Sequence, residues 1–237
     1  MKKYIVAALV VSTGLWLNAS SSSATLIDCN QRLISAAKYG NLKRVQQALR
    51  AGADINCLET DGTSDGARPP TTPLIAAITG WKYYSPSFFS NYEPSFDVIN
   101  YLLRAGANVN GTREPDGATP LMLFAAAGET LYIAKLLELG ANINAESKSG
   151  GTAFDVALEH HNHATTRFLF TKGAGPKTMD QVRSVLSYIE AHRLWLSGWD
   201  DIKEMILKRA RAEEAAKSAR DRDGVWQKAK KATKRRR

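Results

Sequence analysis

The chain of 237 residues has only two cysteines, Cys29 and Cys57, and they do not form a C-x-x-C pair. A thioredoxin-like redox motif and a thiolate zinc site both need closely spaced thiols, so neither is written here. H-E-x-x-H, G-x-G-x-x-G and G-x-x-x-x-G-K-[ST] are also missing. Those strings place a zinc-activated water, a dinucleotide pyrophosphate and a nucleotide triphosphate respectively, and without them no enzyme class is indicated. Apolar runs are short. The longest, Tyr4 to Leu17, falls below the roughly 20 residues that a spanning helix needs. The acids Glu59, Asp61 and Asp65 lack the EF-hand ligand spacing, so no calcium loop is read from them.

Charge is present but unevenly placed. The formal sum of +9 divides into +2 for residues 1–24, −1 for 25–175 and +8 for 176–237. The central segment therefore carries no basic field for a phosphate backbone, and nucleic acid is not an expected partner of the core.

Lys2 and Lys3, the apolar run to Leu17, and the small polar stretch Asn18 to Ala24 follow the three-part order of a secretory signal. Residues 1–24 are read as that signal, with cleavage after Ala24. The mature chain is then expected in the periplasm, with secretion as the alternative. Asp28, ahead of Cys29, fills a place where a lipobox needs a small residue.

One element recurs. Ala51-Gly52-Ala53-Asp54-Ile55-Asn56, Ala105-Gly106-Ala107-Asn108-Val109-Asn110 and Leu139-Gly140-Ala141-Asn142-Ile143-Asn144 are copies, and Lys172-Gly173-Ala174-Gly175 is a weaker one. Upstream stand Leu33-Ile34-Ser35-Ala36-Ala37, Thr72-Pro73-Leu74-Ile75-Ala76-Ala77, Thr119-Pro120-Leu121 and Thr152-Ala153-Phe154. From the apolar residue at the position of the leucine in Thr-Pro-Leu to the repeated glycine the interval is 19 in three copies (33 to 52, 121 to 140, 154 to 173) and 32 in the second (74 to 106). Threonine suits a helix N-cap, proline the first helical position, and glycine a left-handed turn after the second helix.

These strings resemble the T-P-L-H-x-A signature of the ankyrin-repeat family over about residues 30–175. The resemblance implies an all-α repeat solenoid of four ankyrin repeats (about 30–59, 70–113, 117–147 and 150–175) with finger turns. Helix pairs that cannot bury their faces alone would share one core through their neighbours. It also implies a protein-binding module rather than an enzyme, with no cofactor and no metal, which contacts its partner through finger tips and inner helices. Cys29 sits just before the first helix of the first repeat, and Cys57 just after its second helix. In an oxidising compartment an even count favours one bridge between them, with two separate thiols as the alternative.

The second repeat departs most from the pattern. Its insertion, residues 81–96, holds Trp81, Tyr83, Tyr84, Phe88, Phe89, Tyr92 and Phe96, seven of the chain's 20 aromatics. Such rings dominate binding hot spots. The same rings could instead fold back as a satellite core, and the sequence leaves both roles open. Its long finger, residues 58–71, offers Asp61, Asp65 and Arg68 to a partner. The partner is expected to be a periplasmic protein that is inhibited or assisted, or, for a secreted effector, a host protein. His160, His161 and His163 are read as a solvent-exposed cluster, since adjacent histidines on a helix diverge.

Beyond residue 175 the repeat stops. Residues 180–199 are spaced as an amphipathic helix that caps the fourth repeat, and a second helix is expected from Asp200-Asp201 to about Arg222. Residues 176–223 form this helical cap, and Asp223-Gly224 is the expected break. The tail, residues 224–237, carries seven bases from Lys228 onward and no acid after Asp223, which suits weak contact with an anionic surface.

Overall fold

The computed structural model describes residues 28, 30–58, 70–80, 95–192 and 198–235, with side chains to residue 222. The expected all-α repeat architecture is what it contains. Four helix pairs follow in order: α1 (30–38) with α2 (Leu42–Arg50), α3 (Pro73–Thr79) with α4 (Phe96–Arg104), α5 (Pro120–Ala127) with α6 (Thr130–Glu138), and α7 (Ala153–Glu159) with α8 (His163–Thr171). Then come α9 (Met179–Ala191) and α10 (Asp200–Arg235). Among the described residues no strand forms beyond an isolated bridge between Arg113 and Ala118.

The first helix of each later pair starts where its threonine dictates. The hydroxyls of Thr72, Thr119 and Thr152 accept from the N–H of Ile75 (3.4 Å), Met122 (3.3 Å) and Asp155 (3.5 Å). Asp155 completes a capping box, its carboxylate accepting from the Thr152 N–H at 2.9 Å.

The second helix of each pair ends in the same Schellman turn. Ala53, Ala107, Ala141 and Ala174 donate back to Ala48, Leu102, Leu136 and Leu169 at 2.9–3.0 Å. The turn glycines Gly52, Gly106, Gly140 and Gly173 sit at φ +94°, +90°, +86° and +99°. No atom lies within 4 Å of where a Cβ would be placed on any of them. The dihedral, not crowding, selects glycine.

Asparagines then tie one unit to the next. Asn56 Oδ1 accepts from Asn108 N (2.7 Å), and Asn110 Oδ1 accepts from Asn142 N (2.8 Å). Within the first repeat, Asn30 Oδ1 accepts from Asp54 N at 2.8 Å.

Inner helices α3, α5 and α7 stack in sequence, and the outer helices follow as α2 on α4 and α6 on α8. A single buried apolar cluster runs from Leu33 to Ala210. α3 is apolar on every side and buried from Pro73 to Ile78, while α5 leaves Leu123 and Ala126 half-buried and Ala127 exposed.

Two expectations are corrected. The helix expected over 180–199 ends at Ala191, and Gly198, at φ +90°, lies outside helical geometry. Trp199 nevertheless is buried and leads into α10. The break at Asp223-Gly224 is absent, because α10 runs through it. A lone glycine costs a helix only about 1 kcal/mol relative to alanine, and Ala, Lys and Arg, which are good helix formers, predominate over residues 211–222 and 228–235. Thr165 and Thr166 interrupt the apolar pattern of α8 without facing solvent. Both are buried; Thr165 shares a 2.9 Å hydrogen bond with Thr130 of the third repeat, and Thr166 donates to Asn162 O.

Candidate functional site: the second repeat and the finger edge

Asp61, Asp65 and Arg68, with Trp81, Tyr83, Tyr84, Phe88, Phe89 and Tyr92, lie outside the described residues. The structure fixes where their segments are rooted. The finger enters α3 at its N-terminus, through Pro70 and Thr71, and the insertion leaves from its C-terminus, after Gly80. The two departures thus flank one seven-residue helix, about 10 Å long at 1.5 Å per residue.

The last ring of the insertion is an anchor. Phe96, in the first turn of α4, stacks on Tyr132 at 4.8 Å, and Tyr132 stacks on Phe124 at 5.0 Å. Asn100 donates to the Tyr132 hydroxyl at 3.1 Å and accepts from Lys135. This one aromatic has the packing role, and it fixes the return end of the insertion against the third repeat.

Next to the finger root runs an edge built by the turns that follow the second and third repeats. Glu114 N donates to Pro70 O at 3.3 Å, and Lys148 N donates to Asp116 O at 3.0 Å, so successive fingers join. Arg113 pairs with Asp116, and Lys148 with Glu114. The hydrogen bond from Arg113 is the main reason that the Asp116 carboxyl sits below its ordinary range, against the opposing effect of partial burial. Alternating charge at Arg113, Glu114, Asp116 and Lys148 was the available signal. A further string was missed in the sequence: Gly62-Thr63-Ser64-Asp65-Gly66 has G-x-S-x-G spacing. That spacing works at a strand-to-helix turn, and it lies outside the described residues.

Cys57 is a free, buried thiol whose Sγ donates to Asn30 O at 3.8 Å. The expected bridge is therefore not formed here, and Cys29 lies outside the described residues. Burial, assisted by the charge of Asp54, pushes the Cys57 thiol up to about 12.

The histidine reading divides. His160 and His161 are exposed. His163 is instead built into the junction with α10: its Nε2 lies 2.9 Å from Asp201 Oδ1 and its ring meets Trp199 edge-on at 5.2 Å. Partial burial raises the Asp201 pKa, but the hydrogen bonds from His163 and the Ile202 N–H, with the charges of His163 and Arg167, outweigh it and leave the carboxyl below its ordinary range.

Helix pairs that end in the same glycine turn and stack on their neighbours define a helical repeat array. Residues 89–180 match the family described as Ankyrin repeats (3 copies), and the chain is an ankyrin-repeat protein. It is 28% identical over 153 residues to Ankyrin repeat and KH domain-containing protein mask-1 of Caenorhabditis elegans, covering 64% of this chain and 5% of that protein. It is 35% identical over 90 residues to human Rabankyrin-5, covering 33% of this chain and 7% of that one. Human Ankyrin repeat and SOCS box protein 6 is 28% identical over 152 residues, with 61% and 31% covered. The chain thus spans less than a third of the length of each of these relatives. Ankyrin repeats are generally protein–protein interaction modules, and no catalytic family is indicated.

Proposed function

We propose that this chain is an exported binding module that holds a periplasmic partner protein through its second repeat and thereby inhibits or assists it. The observation that carries this is the placement of the finger and the aromatic insertion at the two ends of α3. Loops rooted in a rigid scaffold present contact groups at low entropic cost, and Tyr, Trp and Phe supply large contact area with few rotors. The repeats around them keep their regular turns, so the departure is local. The signal-like N-terminus supports the compartment. The basic C-terminal segment is a separate surface suited to anionic matter.

The test is capture from periplasmic extract with the full chain and with a variant lacking residues 81–94. Circular dichroism should show the same helix content in both, and the partner should be retained only by the full chain. Equal retention by the shortened protein would refute the second-repeat site. Fractionation that places the protein in the medium would overturn the compartment and favour an effector acting on a host protein, leaving the site itself standing.

A further inference from the structure

α10 changes character along its 36 residues. Its first turns belong to the core, with Ile202, Ile206 and Ala210 buried. Arg209 donates to Ala174 O at 2.8 Å and to Phe170 O, and its guanidinium lies 3.4 Å over the Phe170 ring. From Arg211 to Arg222 every residue is exposed, and the charges nearly cancel: Arg211, Lys217, Arg220 and Arg222 against Glu213, Glu214 and Asp221. Those twelve positions span about 18 Å of helix.

Beyond Gly224 the pattern changes again. Lys228, Lys230, Lys231, Lys234 and Arg235 stand with no acid among them, and the backbone remains helical. At 3.6 residues per turn, Val225, Trp226, Ala229, Ala232 and Thr233 fall within an arc of about 120°, and the five bases fall within the opposite arc of about 160°. Like charges three or four apart repel along a helix, and Lys228–Lys231, Lys230–Lys234 and Lys231–Arg235 are such pairs. An anionic surface relieves that repulsion.

We propose that residues 225–235 of α10 are an interfacial segment that lies on an anionic lipid surface, with residues 211–222 separating it from the repeat array. Binding to a phosphate backbone needs only the bases. A segregated apolar arc containing tryptophan and valine gains by burial only where water meets an apolar phase. This surface is independent of the second repeat.

Sedimentation of the full chain with vesicles tests it, using phosphatidylcholine alone and phosphatidylcholine with one quarter phosphatidylglycerol. Binding is expected only to the anionic vesicles and should weaken as salt rises. Each of Lys228→Gln, Lys231→Gln and Lys234→Gln should weaken it about fivefold. Trp226→Ala should weaken it severalfold without changing the thermal melt of the array, and deleting residues 81–94 should leave it intact. The proposal is overturned if anionic vesicles do not bind. It is equally overturned if Trp226→Ala binds them as well as the unaltered chain does, or if a short DNA duplex binds more tightly than the vesicles.

Discussion

Gly106 and Gly140 hold φ near +90° with open space where a side chain would point. An alanine there meets no neighbour and suffers only the left-handed backbone cost, roughly 1–2 kcal/mol. Gly106→Ala should therefore lower the unfolding free energy by that amount, seen as a lower urea midpoint, while leaving the helix signal unchanged. Cys57 makes a second prediction at this scale. Its thiol is raised from 9.0 to about 12, so the fold favours the protonated form. The stability tied to it is complete below pH 9 and is lost as pH rises from 9 towards 12. Cys57→Ala should flatten this alkaline loss in urea titrations. In the unaltered chain at pH 8, iodoacetamide should label Cys57 only after unfolding, without any reductant; labelling that needs reductant would show the thiol bridged. Residue types announced the caps and turns because their chemistry is local: Thr72, Thr119 and Gly140 act within five residues of themselves. The burial of Thr165 was not legible, since its partner Thr130 stands 35 residues away in the neighbouring unit.

Helices α8 and α10 meet through a few polar anchors, and these set the next scale. Arg209 satisfies two carbonyls at the end of α8 and covers Phe170. Hydrogen bonds that involve a charged group contribute about 1.5–3 kcal/mol. Arg209→Leu should cost a comparable amount in chemical denaturation, and Arg209→Lys should recover little of it, because an ammonium lacks the planar fork. α10 runs past Gly224, where turn chemistry suggests a stop, because the Ala, Lys and Arg on either side of residues 223–227 favour helix. Likewise the apolar spacing up to Trp199 gave its burial but not its place outside α9. Periodicity reports which residues seek the core without saying which element delivers them.

Across the whole molecule, the core is shared rather than divided among the repeats. In such arrays stability is close to a sum of unit and neighbour terms, and the ends need covers. α9, α10 and the residue before α10 bury Val182, Val185, Ile189, Trp199, Ile202 and Ile206 in that core. A chain ending at residue 175 should accordingly unfold at a lower urea concentration and bind more of a hydrophobic dye; an unchanged midpoint would deny α9 and α10 a covering role. The repeat array could be read from the sequence because its period recurs in plain residues, Gly52, Gly106, Gly140 and Gly173. The candidate site was legible only as a departure from that period. Which rings of 81–96 anchor depends on contacts such as Phe96 on Tyr132, and these join different repeats.

The Arg209 clamp has a mechanical consequence. Tension applied to the far end of α10 reaches the array first at the carbonyls of Phe170 and Ala174, where the last glycine turn closes. Once that clamp gives, α10 and then α9 would peel away before the fourth helix pair, and rupture would travel inward one unit at a time rather than shearing the stack at once.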